Sequence, residues 1–531
     1  MKSALQATAG VLAFGRTGNV FLAAAAGFLL VVLANQSLLL MAGLLVVIGC
    51  LALMLRWPEA GTLAVLFAIY SNIGVLAMRP QKAVEAAAGV LDQNPRIALV
   101  LTALVLLLCV PLLYRIFICQ QRLIFDRGFI LMLVFLAALV SSLIFARDRS
   151  IALSTLADYL IEGLVLYFLV TNSIRDCATL RRATWSLLLA GSFMASFTVY
   201  QKVSHTEDKI YGGLAQMRSD FPSNPRVLNY AGRLLPAIQV GANGEVVGQL
   251  RAAGPIGEPN RYGQILVILL PLAALQFATE KTVRLKALSL LAAGLIFVAL
   301  LLTLSRGNLL AAVLAFTLAG CLGLLEKRQI LGAMMGAALL VGVFQPGVTA
   351  RMATLERLNA LFSESRSQEA PDSSAIRRYV ENVAAWQVFV DHPLLGVGPG
   401  HFSPYYSNSY GNRLGLVEQI KNYRGHNLYL ETLAETGVVG FGCFLAILAA
   451  IAHGLWKERS RWVQCNRQLA LLPSAFLVSL AAYAVSAIFD HLSYQRYFWL
   501  LLALASAAIR ILHLKSEEGR SCDSVLRRRQ A

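Results

Sequence analysis

The sequence predicts an all-α polytopic integral membrane protein, and three observations carry that prediction. Hydrophobic residues fill 57% of the 531 positions and charged residues only 14%, far from the balance of a soluble chain. Apolar runs able to cross a ~30 Å hydrocarbon core, which takes roughly 20 residues, recur from end to end. The basic residues behind the net charge of +17 sit in short connections between those runs, which argues for a topology signal rather than nucleic-acid binding.

Taken in order, about 12 to 14 spans are expected. They fall at 19–34, 37–55, 59–78, 97–117, 128–146, 155–173 and 183–201, then at 262–279, 288–305, 308–325, 330–346, 428–456, 469–489 and 497–513. The run from Val20 to Ala34 has the look of a signal sequence, but a second run follows so closely that an uncleaved first span is the better reading. The chain thus divides into N-terminal spans (1–201), a first loop (202–261), spans (262–346), a large second loop (347–427), C-terminal spans (428–513) and a basic tail (514–531).

Arg115, Arg122, Arg127, Arg175, Arg181, Arg182, Arg284, Arg459, Arg461 and the tail Arg527 to Arg529 all fall on one side of this arrangement. The positive-inside rule makes that side cytoplasmic, with both termini inside. Four predicted spans separate the two long loops, so both loops face outward, and the connection at Ser305-Arg306-Gly307 faces outward with them. All eight cysteines lie in predicted spans or cytoplasmic segments, which implies neither a disulfide framework nor a Cys-rich zinc site.

Long loops in a compact protein are usually functional or disordered, and the second loop carries a helical signal. Residues 374–392 place Ile376, Val380, Val383, Trp386 or Gln387, and Val390 at three- and four-residue spacing, the pattern of an amphipathic helix. Ser373 or Ser374 supplies its cap, His392-Pro393 ends it, and Pro393 to Gly400 forms a tight turn. In the first loop, Asn243-Gly244 reads as a hairpin turn between short extended pieces.

Where the second loop meets an apolar helix, Arg424-Gly425-His426-Asn427 runs into Glu435-Thr436-Gly437. An imidazole there titrates near neutrality and can take a proton from a hydroxyl, although a loop histidine can equally cap the next helix. Gly396-x-Gly398-x-Gly400 lacks the strand-helix-strand setting of a nucleotide site, and a Pro-Gly turn separates Asp391 and His392 from His401 as metal ligands. Asp158 and Glu162, at i,i+4 spacing inside a predicted span, keep open a transporter or a flippase for lipid-linked oligosaccharide.

Arg251 with Gly254 and Pro259-Asn260, Ser305-Arg306-Gly307, Arg378 with His392 to Gly398, and His426-Asn427 with Glu435-Thr436-Gly437 together resemble the O-antigen ligase and polymerase family. The resemblance is strongest from about 250 to 445. It implies a GT-C-like, metal-independent, inverting glycosyltransferase in the bacterial inner membrane, with two long external loops and no cofactor. Such an enzyme moves a glycan from undecaprenyl or another polyprenyl diphosphate to a lipid, glycan or protein hydroxyl, as in lipopolysaccharide or exopolysaccharide synthesis. The chain contains no Asp-x-Asp pair or Walker loop, in keeping with that picture.

By the same resemblance His426 is the general base, and Arg306 and Arg378 stabilise the leaving diphosphate, for which a guanidinium is suited by its permanent charge and bidentate geometry. Arg306 also reads as an interfacial anchor, and the adjacent Arg377 competes with Arg378 for its role. Arg251, Asn260, Asn427 and Arg377 are candidate substrate-binding residues. Pro259-Asn260 is equally an ordinary turn.

Overall fold

The computed structural model describes residues 54–74, 95–219, 250–326, 373–403, 409–410, 426–490 and 496–530, with scattered positions between 328 and 339. The expected span at 19–34, nearly all of 37–55, most of 330–346, and the Asn243-Gly244 turn lie outside the described residues. The chain divides into two compact units, 1–61 and 62–531, and every contact below lies within the second.

Helices dominate. In chain order they are α1 (Pro58–Tyr70), α2 (Pro95–Leu107), α3 (Cys109–Phe117), α4 (Arg127–Ser142), α5 (Arg149–Asp158), α6 (Leu166–Ser173) and α7 (Cys177–Val203). After a two-stranded ladder come α8 (Pro259–Val267), α9 (Leu270–Thr279), α10 (Val283–Leu302), α11 (Arg306–Cys321), α12 (Ser373–Asp391), α13 (Leu428–Cys465), α14 (Arg467–Ser486) and α15 (Arg496–Gln530). Among the described residues, nine helical stretches are long and apolar enough to cross a membrane, and α1 and α11 are shorter apolar helices. The protein is an all-α polytopic membrane protein, as its composition predicts.

Polar caps set where many of these helices begin. Asp126, Asp148, Asp176, Thr282, Asn427 and Asn466 each accept from a backbone N–H in the first turn of the helix they precede. Each satisfies a donor that would otherwise be orphaned at low dielectric. Before α8 the cap is Glu258, with Pro259 at the first helical position, where its missing N–H costs nothing.

The ladder pairs Met217–Ser219 (β1) antiparallel with Leu250–Ala252 (β2), placing Arg218 opposite Arg251. It packs Met217 and Ala252 against Val298 and Leu302 of α10, so the first loop is tied to the bundle where α10 ends.

Hydrogen bonds distinguish two ends of the bundle. At the basic end Arg175 donates to the Arg122 carbonyl, Arg510 to Ile174, and Arg459 to Leu322, while Arg181 pairs with Glu280 at 2.6 Å. At the loop end Arg251, the turn after α12, and the start of α13 gather around the N-terminus of α11 and the C-terminus of α14.

Of the two carboxylates inside the predicted 155–173 span, Glu162 has a local explanation. Between α5 and α6 the chain forms a π-helix, Tyr159–Val165, in which Glu162 meets Arg496 at 3.6 Å. Arg496 in turn donates to Asn72 at 2.7 Å, and Asn72 donates to the Pro255 carbonyl at 2.9 Å. Glu162 is therefore compensated by a buried cation, the condition a carboxylate needs in such a setting.

Candidate functional site

The site begins with a break in α13. Gly437 adopts φ 62° and ψ −168° inside the helix, so the carbonyls and N–H groups around it are freed from the helical ladder. The turn after α12 takes them up. Val397 N–H donates to the Ala434 carbonyl, Gly398 to Glu435, Val438 to Pro393 and Val439 to Leu394. Ser142 at the end of α4 donates to both the Leu395 and Glu435 carbonyls.

Two glycines permit this approach. A Cβ on Gly396 would land in the Glu435–Thr436 peptide, and one on Gly437 in the Leu394 carbonyl, and both residues have positive φ. The resemblance-bearing elements His392 to Gly398 and Glu435-Thr436-Gly437 are thus one backbone junction. His401 locks its far side, accepting at Nε2 from Asp148 N–H at 2.9 Å and donating from Nδ1 to Pro399.

This junction holds α12 against the first turns of α13. The buried face of α12 is Val380, Glu381, Ala384, Ala385 and Val388, packed with Val397, Phe402, Tyr410 and Ala434. The sequence spacing placed Val380 in one stripe with Val383, Trp386 or Gln387, and Val390. Only Val380 of these is buried, while Trp386 and Val390 are 51% and 57% exposed. Ala384 and Ala385 sit on the inner face between Val380, Glu381 and Val388, and the bulky Trp386 is turned outward. Ile376 and Arg377 have side chains outside the described residues.

His426 lies immediately before the cap of α13. Its Nδ1 is 2.7 Å from Glu381 Oε2, with the Glu381 side chain fully buried and that of His426 18% exposed. The capping role considered for His426 belongs to its neighbour, since Asn427 Oδ1 accepts from the N–H groups of Tyr429 and Leu430 at 3.0 and 3.2 Å. With Nδ1 directed at a buried carboxylate, the other ring nitrogen is the one left to act on a hydroxyl.

The arginines close in from separate segments. Arg251 is buried, donating from Nε to the Thr303 carbonyl at 2.8 Å and from Nη2 to Asn260 Oδ1 at 2.6 Å. The Asn260 carbonyl accepts from Asn308, and Leu304 carries a positive φ of 51° just before Ser305 and Arg306. Arg251 and Asn260 thus hold the bend that delivers Arg306 to the first position of α11.

Arg378, on α12 one turn before Glu381, has its Nε buried without a hydrogen-bond partner. Burial lowers its pKa, the neighbouring charges of Arg251 and Arg306 add to that, and Asp490 and Glu258 oppose it. Glu258 shows the reciprocal field. Burial raises its carboxyl, but Arg261, Arg251 and His426 outweigh burial and hold it below the ordinary carboxylate range. Arg251, Arg306, Arg378, Glu258, Asp490 and His426 therefore share one electrostatic neighbourhood, in which guanidinium groups from three segments repel one another.

Residues 291–445 match the O-antigen ligase family. The O-antigen ligase match supports a ligase or polymerase-like family for the chain, and it spans Arg306, Arg378, Glu381, the glycine junction and His426. It begins downstream of Arg251 and Asn260, whereas the sequence resemblance starts near 250. A search of curated proteins found no match.

Within the matched segment, the sequence missed Glu381. A readable signal existed, because a carboxylate between Val380 and Ala384 interrupts the inner face of an amphipathic helix. Glu258 and Asp490 were missed as well, each being legible only through the charges it faces. Asp391, weighed as a metal ligand, instead accepts from Tyr410 at 2.6 Å.

Proposed function

We propose that this protein is an inverting, metal-independent membrane glycosyltransferase. It moves a glycan from a polyprenyl diphosphate, such as undecaprenyl diphosphate, to an acceptor hydroxyl at the outer face of the bacterial inner membrane. The observation that carries the reading is the pairing, in one neighbourhood, of an oriented histidine with an arginine whose Nε is buried and unbonded. A buried donor without a partner is costly, and an anionic ligand would satisfy it.

In this reading the free nitrogen of His426 takes the proton from the acceptor hydroxyl. The acceptor oxygen attacks the anomeric carbon from the side opposite the diphosphate, the anomeric C–O bond breaks, and its electron pair leaves on the diphosphate. Arg378 and Arg306 meet that developing charge, with mutual repulsion relieved as it arrives. Glu381 holds the ring by Nδ1 and stabilises the imidazolium formed in transfer, the orienting role that a buried carboxylate plays for a histidine base. Arg251, Asn260 and Asn427 act on the site by fixing the bend at Ser305 and the start of α13. Arg377 is assigned to substrate contact alongside Arg378.

A transporter or flippase reading loses one of the two carboxylates it drew on, because Glu162 is matched by Arg496. The test is reconstitution of purified protein with a polyprenyl-diphosphate glycan, with and without candidate acceptors. Acceptor-dependent release of polyprenyl diphosphate is expected. Absence of such release with every donor and acceptor pair would sink the proposal.

A further inference from the structure

The outward face of α12 presents a separate problem. Helical geometry sets Tyr379, Trp386 and Val390 together on the face opposite Glu381 and Val388. All three are about half exposed, in a loop helix where water would favour polar side chains. The stripe does not stop at the end of the helix. Trp386, Val390 and Leu394 follow at four-residue steps, Leu394 is 67% exposed, and its carbonyl accepts from Val439. Val438 and Val439 then begin the outward stripe of α13, which continues through Gly442, Leu445 and Ala449 along a membrane-spanning segment.

We propose that α12 is an interfacial helix, seated in the lipid leaflet at the loop end of the bundle by Tyr379, Trp386, Val390 and Leu394. The occupant is lipid because the surface is continuous with a stripe that a spanning helix must present to acyl chains. Its composition agrees, since tyrosine and tryptophan have the amphipathic rings favoured at the membrane boundary. A loop helix seated this way does not float above the bilayer. Arg378 falls on its flank between the lipid face and the buried face, at the level where a phosphate-bearing headgroup meets its hydrocarbon tail. If the donor is the polyprenyl diphosphate proposed above, the seating lets its diphosphate reach Arg378 while its chain stays in the leaflet. Only that last consequence rests on the enzymatic reading.

Nitroxide labels test the seating without any activity assay. Full-length protein in which the eight native cysteines are replaced receives one cysteine at a time, by Trp386→Cys, Val390→Cys, Leu445→Cys as the lipid reference, or Lys209→Cys as the exposed loop reference. After reconstitution into phosphatidylethanolamine and phosphatidylglycerol vesicles, collision rates with oxygen and with a water-soluble nickel chelate are measured. The oxygen-to-nickel ratio at positions 386 and 390 is expected within about twofold of that at 445, and well above that at 209. High nickel accessibility puts the face in water and overturns the proposal. Low accessibility to both probes means that protein covers it, a second copy or another chain, and overturns it equally. A second measurement avoids the cysteine-free background. The emission lost in Trp386→Phe, relative to wild type, should be the part quenched by chain-brominated lipid and spared by aqueous acrylamide; the opposite pattern overturns the seating.

Discussion

The two ends of the bundle use arginine differently. At the basic end, Arg175 donates to the Arg122 carbonyl and Arg510 to that of Ile174, Arg181 forms a two-pronged pair with Glu280, and Arg461 donates to Ser516 of α15 at 3.1 Å. Those guanidinium groups bind the ends of helices to one another. At the loop end Arg251 does the same work for Thr303 and Asn260, but Arg378 Nε is buried with nothing to donate to. Arg510 also leaves its buried Nη1 without a hydrogen-bond partner, but its Nη2 is tied to the Ile174 carbonyl. The same residue type is therefore cement where a carbonyl holds it and an open receptor at Arg378.

Substitutions sharpen that contrast. His426→Ala, removing the group that Glu381 orients, should lower transfer by roughly 10²- to 10⁴-fold while the protein remains inserted and monodisperse. Near-normal turnover in the reconstituted assay would remove the histidine from the chemistry. Arg378→Ala should cost about 10²- to 10³-fold in kcat, with Arg378→Lys restoring part of the charge but not the planar fork. An unaffected rate would make Arg378 cement like the others.

A smaller effect is expected at Glu381. Glu381→Gln should reduce kcat by about 10- to 100-fold with KM nearly unchanged, and Glu381→Asp should recover part of the loss. Equal loss in both variants, tracking thermal stability, would assign the carboxylate to packing alone. At the basic end, Arg181→Ala leaves the buried Glu280 without its cation. Because Arg181 is half exposed, the expected cost is only about 1 to 2 kcal/mol, read as a lower unfolding midpoint with turnover of the intact protein unchanged. A large loss of turnover there would break the comparison from the other side.

Much of this was legible in the chain and some was not. The helices at 128–146, 183–201 and 469–489 follow from apolar length, which is a local property, and their observed bounds differ by only a few residues. The amphipathic loop helix was readable too, together with its stop at His392-Pro393. Its orientation was not. Periodicity gives the angle between side chains but not which sector faces inward, so the stripe through Val380, Val383, Trp386 or Gln387, and Val390 was readable, but the inward turn of Ala384, Ala385 and Val388 was not. Asn427 was a candidate for substrate binding, and the structure shows in addition that its side-chain oxygen caps the backbone of α13.

Composition and apolar run length by themselves determined that the chain spans a membrane, and the motifs that carry the family resemblance pointed to His426, Arg306 and Arg378. These features depend on residue type and on separations of a few positions. Only the tertiary structure decided that Glu381 stands behind His426, that Gly396 and Gly437 form one junction, and that Arg251 is spent on Thr303 while Arg378 is not. Each of those facts joins residues far apart in sequence, and hydrogen bonds and charge fields act over ångströms of space, which no reading of adjacent letters measures.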